Sequence, residues 1–147
     1  MRVIKFRGKS KLTAEELEER RIEHRDGWVY GSLVMHEEAL YIAGEFKEVG
    51  SESLVNESWL PVQPESVGQY TGITDKKGRD IYEGDILEYG YVVTYVDGSD
   101  KESLGMSVGF HIQQNDFERH RELEVGDFLE IIGNIYDNPE LVSGEVK

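Results

Sequence analysis

"QYTGITDKKGRDIYEGDIL", residues 69–87, carries three glycines and seven charged side chains in nineteen positions. Such density suits either a loop that cradles a ligand or the joinery of a small β-fold. The order Asp75-Lys76-Lys77-Gly78 favours joinery, because it matches a type I turn closed by glycine at positive φ, a common hairpin connection. Gly72 and Gly84 bound the hairpin arms, and Ile73, Ile81 and Ile86 are expected to face the core. Thr74, Arg79 and Asp80 are expected to face water. This segment therefore predicts a mainly β protein.

Beyond it the pattern continues as short strands, Asp85–Tyr89, Tyr91–Val96, Gly105–Ile112 and Phe128–Tyr136, punctuated by glycine turns at the spacing of a barrel or sandwich. "NDFERHRELE" (115–124) is expected to contribute a single helical turn. "IYEGDILE" at 81–88 is echoed by "LEVGDFLE" at 123–130, which reads as one strand entrance used twice, with glycine for the sharp approach and aspartate for nearby amides. Toward the N-terminus, "GWVYGSLV" and "ALYIAGEF" flank "MHEE" and predict a hairpin rich in aromatic and β-branched residues. Thr13 followed by Glu16 has the capping-box form, predicting one short, largely solvated helix near 14–23. "VIKFR" (3–7) reads as an edge strand with Ile4 and Phe6 inward and Val3, Lys5 and Arg7 on the other face. The polar stretch 47–57 divides residues 1–60, with the first strand, helix and hairpin, from a β-barrel subregion at 61–147. Together they are expected to form one compact domain.

Composition narrows the functional classes. Thirty acidic against sixteen basic residues give a formal charge of −14 in 147 residues, which opposes general binding to a phosphate backbone. The charge is segregated, since all five charged residues in 1–11 are basic (Arg2, Lys5, Arg7, Lys9, Lys11). The absence of cysteine removes disulfides and thiol chemistry and fits a reducing cytoplasm. No apolar run resembles a signal peptide or a membrane span.

Catalytic patterns fail on context. "GMSVG" (105–109) matches a nucleophile elbow, yet "VGFHIQ" continues as a strand where a helix is required after Ser107. "RGKS" (7–10) lacks the leading glycine of a P-loop, having Val3 in its place. His111, His120, Asp116 and Asp127 lack the spacing of a zinc site. Asp85 and Asp127 are the candidates for a carboxylate pair of the hydrolytic kind, though turn capping explains both more simply. The tyrosines suit buried and subunit contacts better than a base-stacking platform, which needs a positive groove.

"GWVYGSL", "SVGQYTGITDKKGRDIYEGDIL" and "LEIIGNIYDNPEL", in that order, with "IKFRGK" at 4–9, resemble the motifs of the YopX family of phage and prophage proteins. The resemblance implies a mainly β fold with an SH3-like barrel character, self-association into a homo-oligomer, carriage in bacterial mobile elements and no established enzymatic activity. It supplies no catalytic residue, and the residues themselves lead one to expect no cofactor or metal. Its motif positions here are Gln69, Tyr70, Thr71, Gly72, Asp75, Gly78, Tyr82, Gly84, Asp85, Gly133, Asn134, Tyr136 and Asn138, read as structural turns. Segment 10–25 is longer and more helical than the family pattern leads one to expect. The basic first strand beside an acidic body makes Lys5 and Arg7 the candidate subunit contacts. The leading expectation is a self-assembling accessory protein whose partner is a phage or host protein. An acidic decoy for a host DNA-binding protein is the alternative, and a carboxylate hydrolase the third.

Overall fold

The computed structural model describes residues 3–44, 59–99, 107–114, 119–124 and 129–142. The chain divides into two units, Met1–Gln69 and Tyr70–Lys147; the polar stretch at 47–57, where the sequence suggested a boundary, lies outside the described residues.

In the first unit β1 (Phe6–Lys9), β2 (Trp28–His36), β3 (Ala39–Ala43) and β4 (Trp59–Pro61) lie antiparallel in the order β4-β3-β2-β1. β1 also pairs with Gly68 and Gln69, the first residues of β5 (Gly68–Thr74). It is therefore a central strand and not the edge strand that its sequence suggested. The expected inward Ile4 lies before β1 and is 56% exposed, while Arg7, expected outside, is buried. Trp28 supplies the reason: its ring centroid lies 4.8 Å from the Arg7 guanidinium and 5.3 Å from Lys9 Nζ, so both cations lie over an aromatic face.

The predicted hairpin joins β2 to β3, with His36 opposite Ala39 and the two turn residues, Glu37 and Glu38, at φ of 50° and 69°. This is the primed turn that matches strand twist.

The helix α1 (Ala14–Glu19) starts where the sequence places it. Glu16 N–H donates to Thr13 Oγ1 at 3.0 Å, and Thr13 N–H donates to Glu16 Oε1 at 2.8 Å. It ends four residues earlier than expected, because Arg21 turns left-handed at φ 60°. Ile22 N–H then reaches Leu17 carbonyl and Arg21 N–H reaches Glu18 carbonyl, closing the last turn in a Schellman motif. Leu17 is the one buried residue within the helix, and Ile22 just beyond it joins the same core with Val29, Ile42, Leu60 and Val62.

In the second unit β5 continues and pairs with β6 (Asp80–Tyr82). β7 (Asp85–Leu87), β8 (Tyr91–Val96), β9 (Gly109–Gln114), β10 (Arg119–Glu122) and β11 (Ile131–Asn134) form an antiparallel sheet in the order β10-β9-β8-β7-β11. Ile81, Leu87, Val93, Ile112 and Leu123 make its core. Residues 119–122 are strand, where a helical turn was expected, because they pair in register with His111–Gln114 of β9. Both sheets are antiparallel and the fold is mainly β, but no closed barrel forms among the described residues: β10 and β11 end the sheet at opposite sides. Among the described residues no helix is long and apolar enough to cross a membrane.

Candidate functional site

The charged turn of the motif is built around one carboxylate. Gly78, at φ 83°, closes the turn with its N–H on Asp75 carbonyl at 2.9 Å, and Asp75 N–H returns to Arg79 carbonyl at 2.8 Å. A side chain at 78 would meet nothing within 4 Å, so the backbone angle alone asks for glycine there. The Asp75 side chain is fully shielded from solvent. Its Oδ1 accepts the amides of Lys77 and Arg79, both at 2.9 Å, and its Oδ2 accepts Ile131 N–H at 3.0 Å. Arg79 adds an ion pair at 3.0 Å and passes its guanidinium on to the Ile131 carbonyl at 2.8 Å. Burial alone raises the carboxyl pKa, but the amides of Ile131, Arg79 and Lys77, with the Arg79 charge, hold it below its ordinary 3.8.

The surrounding charges are matched. Lys76 lies 3.1 Å from Glu88, and Lys77 and Arg79 lie 3.2 and 3.5 Å from Glu130. Glu88 N–H donates to Glu130 carbonyl and Glu130 N–H to the Glu88 carboxylate, both at 2.9 Å. The final residues of the two echoed segments thus bond to each other. Asp127 of the second echo lies outside the described residues, as does Asp116 of the histidine set, so the carboxylate pair and that set are not brought together by any described contact.

The other motif positions are joints of the same kind. Gln69 pairs with Phe6 in the first unit. In the second, the rings of Tyr70 and Tyr82 stand 5.6 Å apart at a tilt of 46°. Thr71 Oγ1 donates to Ile81 carbonyl at 2.8 Å, and Gly72 takes φ 90°. Asp85, 2% exposed, accepts Tyr82 N–H at 2.8 Å. Gly84, at φ 96°, donates to Val93 carbonyl and accepts from Ile135, both at 2.8 to 2.9 Å. Asn134 Oδ1 accepts the amides of Tyr136 and Asp137 at 3.0 and 2.8 Å, while Asn138 Oδ1 accepts Asn134 N–H at 3.2 Å over Gly133.

Ser107, the serine of the elbow-like pattern, stands just before β9. Its hydroxyl donates to the Glu122 carboxylate, and His111 Nε2 lies 2.9 Å from the Ser107 carbonyl oxygen, not its hydroxyl. His111 is buried in β9. Among the described residues no group of three or more histidine, aspartate or glutamate side chains is arranged to hold a metal ion. Of the two candidate subunit contacts, Lys5 is half-buried, and Arg7 is buried against Trp28 of its own unit.

The feature that sequence reasoning passed over lies on the outer face of the first unit. Ile42 and Leu60 pair and point inward, so their neighbours Tyr41 and Trp59 point outward, together with His36. Trp59 is 47% exposed, its ring 5.7 Å from Tyr41 and 5.9 Å from His36. Met35, which alternation puts on the other face of β2 from His36, is 72% exposed. Period-two alternation in "WLPV" was the signal that could have found this cluster.

No curated protein matches the chain. Among solved structures, the crystal structure of protein EF1440 from Enterococcus faecalis is similar in fold, with 20% identity and a TM-score of 0.50, covering 97% of this chain and 100% of that one. The model of the family described as YopX protein matches residues 5–143, almost all of the sequence, including every motif position described above, and the chain belongs to the YopX family.

Proposed function

We propose that this chain is a non-enzymatic accessory protein of a phage or prophage, working in the bacterial cytoplasm by binding protein, further copies of itself included. The observation that carries this reading is the exposed cluster of Trp59, Tyr41 and His36 on a sheet face. Aromatic side chains with an open apolar face and a polar rim are the usual anchors of protein interfaces. The motif carboxylates add support of another kind: Asp75 and Asp85 have their oxygens on backbone amides, which favours reading them as turn-forming residues. The strand-rich second unit is read as an SH3-like barrel in character, opened between β10 and β11. Lys5, half-buried on the basic first segment, is read as the contact that aligns acidic neighbours.

Sedimentation equilibrium tests the reading. The wild-type protein is expected at a multiple of 16.8 kDa, and Trp59→Ala, at a half-exposed position, is expected to weaken the assembly at least tenfold while leaving the circular dichroism spectrum unchanged. A monomer at low and high salt alike would refute self-assembly.

A further inference from the structure

Among the described residues β11 ends its sheet, and side chains close its outer edge at both ends. At Ile131 the amide donates to Asp75 Oδ2 at 3.0 Å, and the carbonyl accepts from Arg79 Nη2 at 2.8 Å. Three residues on, Asn134 N–H donates to Asn138 Oδ1 at 3.2 Å, and its carbonyl accepts Asn138 N–H at 2.8 Å. Each end therefore meets one acceptor and one donor, the pair that the peptide groups of a neighbouring strand would present. Gly133 permits this, since a Cβ there would stand 2.6 Å from Asn138 Oδ1. Ile132 and Ile135 are 44% and 45% exposed. A sheet edge flanked by open apolar side chains is a template for pairing with another chain unless it is blocked.

We propose that Asp75, Arg79 and Asn138 form an edge seal that keeps β11 from accepting a strand of a second copy of this chain, and that the Asp75–Arg79 half is its removable part. The two halves differ in how they are held. Asn138 lies four residues from Asn134 and closes locally with its own turn. Asp75 and Arg79 arrive from a hairpin more than fifty residues away, and Arg79 is 43% exposed and shared with Glu130. Lys76, Lys77, Glu88 and Glu130 surround the pair and balance one another, so loss of the Asp75 charge leaves Arg79 drawn toward Glu130 and away from the Ile131 carbonyl. Once open, the edge fits β11 of a second copy antiparallel to itself about a twofold axis, with the isoleucines covered in the contact. This does not rest on the function proposed above, because its readout is a change from the wild-type mass, whatever that mass is.

The test uses the full chain and three variants, Asp75→Asn, Arg79→Ala and Asp75→Asn combined with Ile132→Lys. Amide hydrogen exchange at Ile131 is followed by NMR, and mass by sedimentation velocity over a wide range of concentration. In Asp75→Asn, exchange at Ile131 is expected to rise about tenfold or more, while β8 and β9 keep their protection. A species of twice the wild-type mass is expected to grow with concentration and to vanish when Ile132→Lys is added. Unchanged exchange at Ile131 overturns the proposal. So does an opened edge with wild-type mass at every concentration, or a larger species that survives Ile132→Lys. If Asp75→Asn loses the sheet as a whole, Arg79→Ala, which keeps the two turn amides on Asp75, decides by the same two readouts.

Discussion

Replacing Asp75 by asparagine removes one charge and keeps the shape, so its effect on stability can be worked from the contacts. The carboxylate accepts two turn amides on Oδ1, and the Ile131 amide together with the Arg79 guanidinium on Oδ2. Asparagine has one acceptor oxygen. Set toward the turn, it keeps two neutral hydrogen bonds and points its NH2 at Ile131 N–H and Arg79, which are all donors. Hydrogen bonds to a charged group contribute about 1.5 to 3 kcal/mol, and a buried donor left unsatisfied costs about 1 to 3. Arg79 is 43% exposed and recovers part of its loss in water. The net expectation is a destabilisation of about 2 to 3 kcal/mol, or roughly 5 to 10 °C in melting midpoint for a chain of this length. Urea unfolding at pH 7, followed by tyrosine fluorescence and circular dichroism, measures it. Because the folded carboxyl is held below 3.8, its contribution is present in full above that value and is lost as pH falls through the lower, folded pKa. The gap between wild type and variant is therefore constant from about pH 5 to 8 and closes in acid. A variant within about 0.5 kcal/mol of wild type at pH 7 would refute the reasoning.

Further substitutions probe the other joints. Leu17→Ala, at a fully buried position, is expected to cost about 2 to 5 kcal/mol, whereas Thr13→Ala, which opens the capping box, is expected to cost about 0.5 to 2; chemical denaturation should rank them in that order. Gly78→Ala introduces no collision but keeps a left-handed residue at φ 83°, so about 1 kcal/mol is expected from backbone strain alone. In Gly133→Ala the new Cβ displaces Asn138 Oδ1, and the Asn134 amide should lose protection from hydrogen exchange.

Much of the local architecture was legible in residue order. The capping box at Thr13 and Glu16 and the glycine-closed turn at Asp75–Gly78 each close hydrogen bonds within a few residues, and the types that satisfy them are visible in any short window. The hairpin across Glu37 and Glu38 was legible only from its flanking strands, since two glutamates at positive φ are not what such a turn favours. The strand Tyr91–Val96 has the bounds its pattern predicts. The extent of α1 was less legible, since its acidic and basic periodicity runs on past Glu19 while Arg21 turns left-handed. The candidate site was half legible. Asp75 stood out as a turn residue, but nothing in the order of residues announced that its second oxygen reaches Ile131, fifty-six residues away.

Residue order alone determined that this protein is mainly β, where its tight turns fall, and which family it joins, because alternation and turn chemistry are decided by near neighbours. Only the tertiary structure decided that β1 lies inside its sheet with Arg7 over Trp28, that Trp59 faces outward, and that Asp75 with Arg79 closes the edge of β11. Those contacts join segments far apart in the chain. Their formation depends on which strands meet and in what register, and a one-residue shift of register would exchange the two faces.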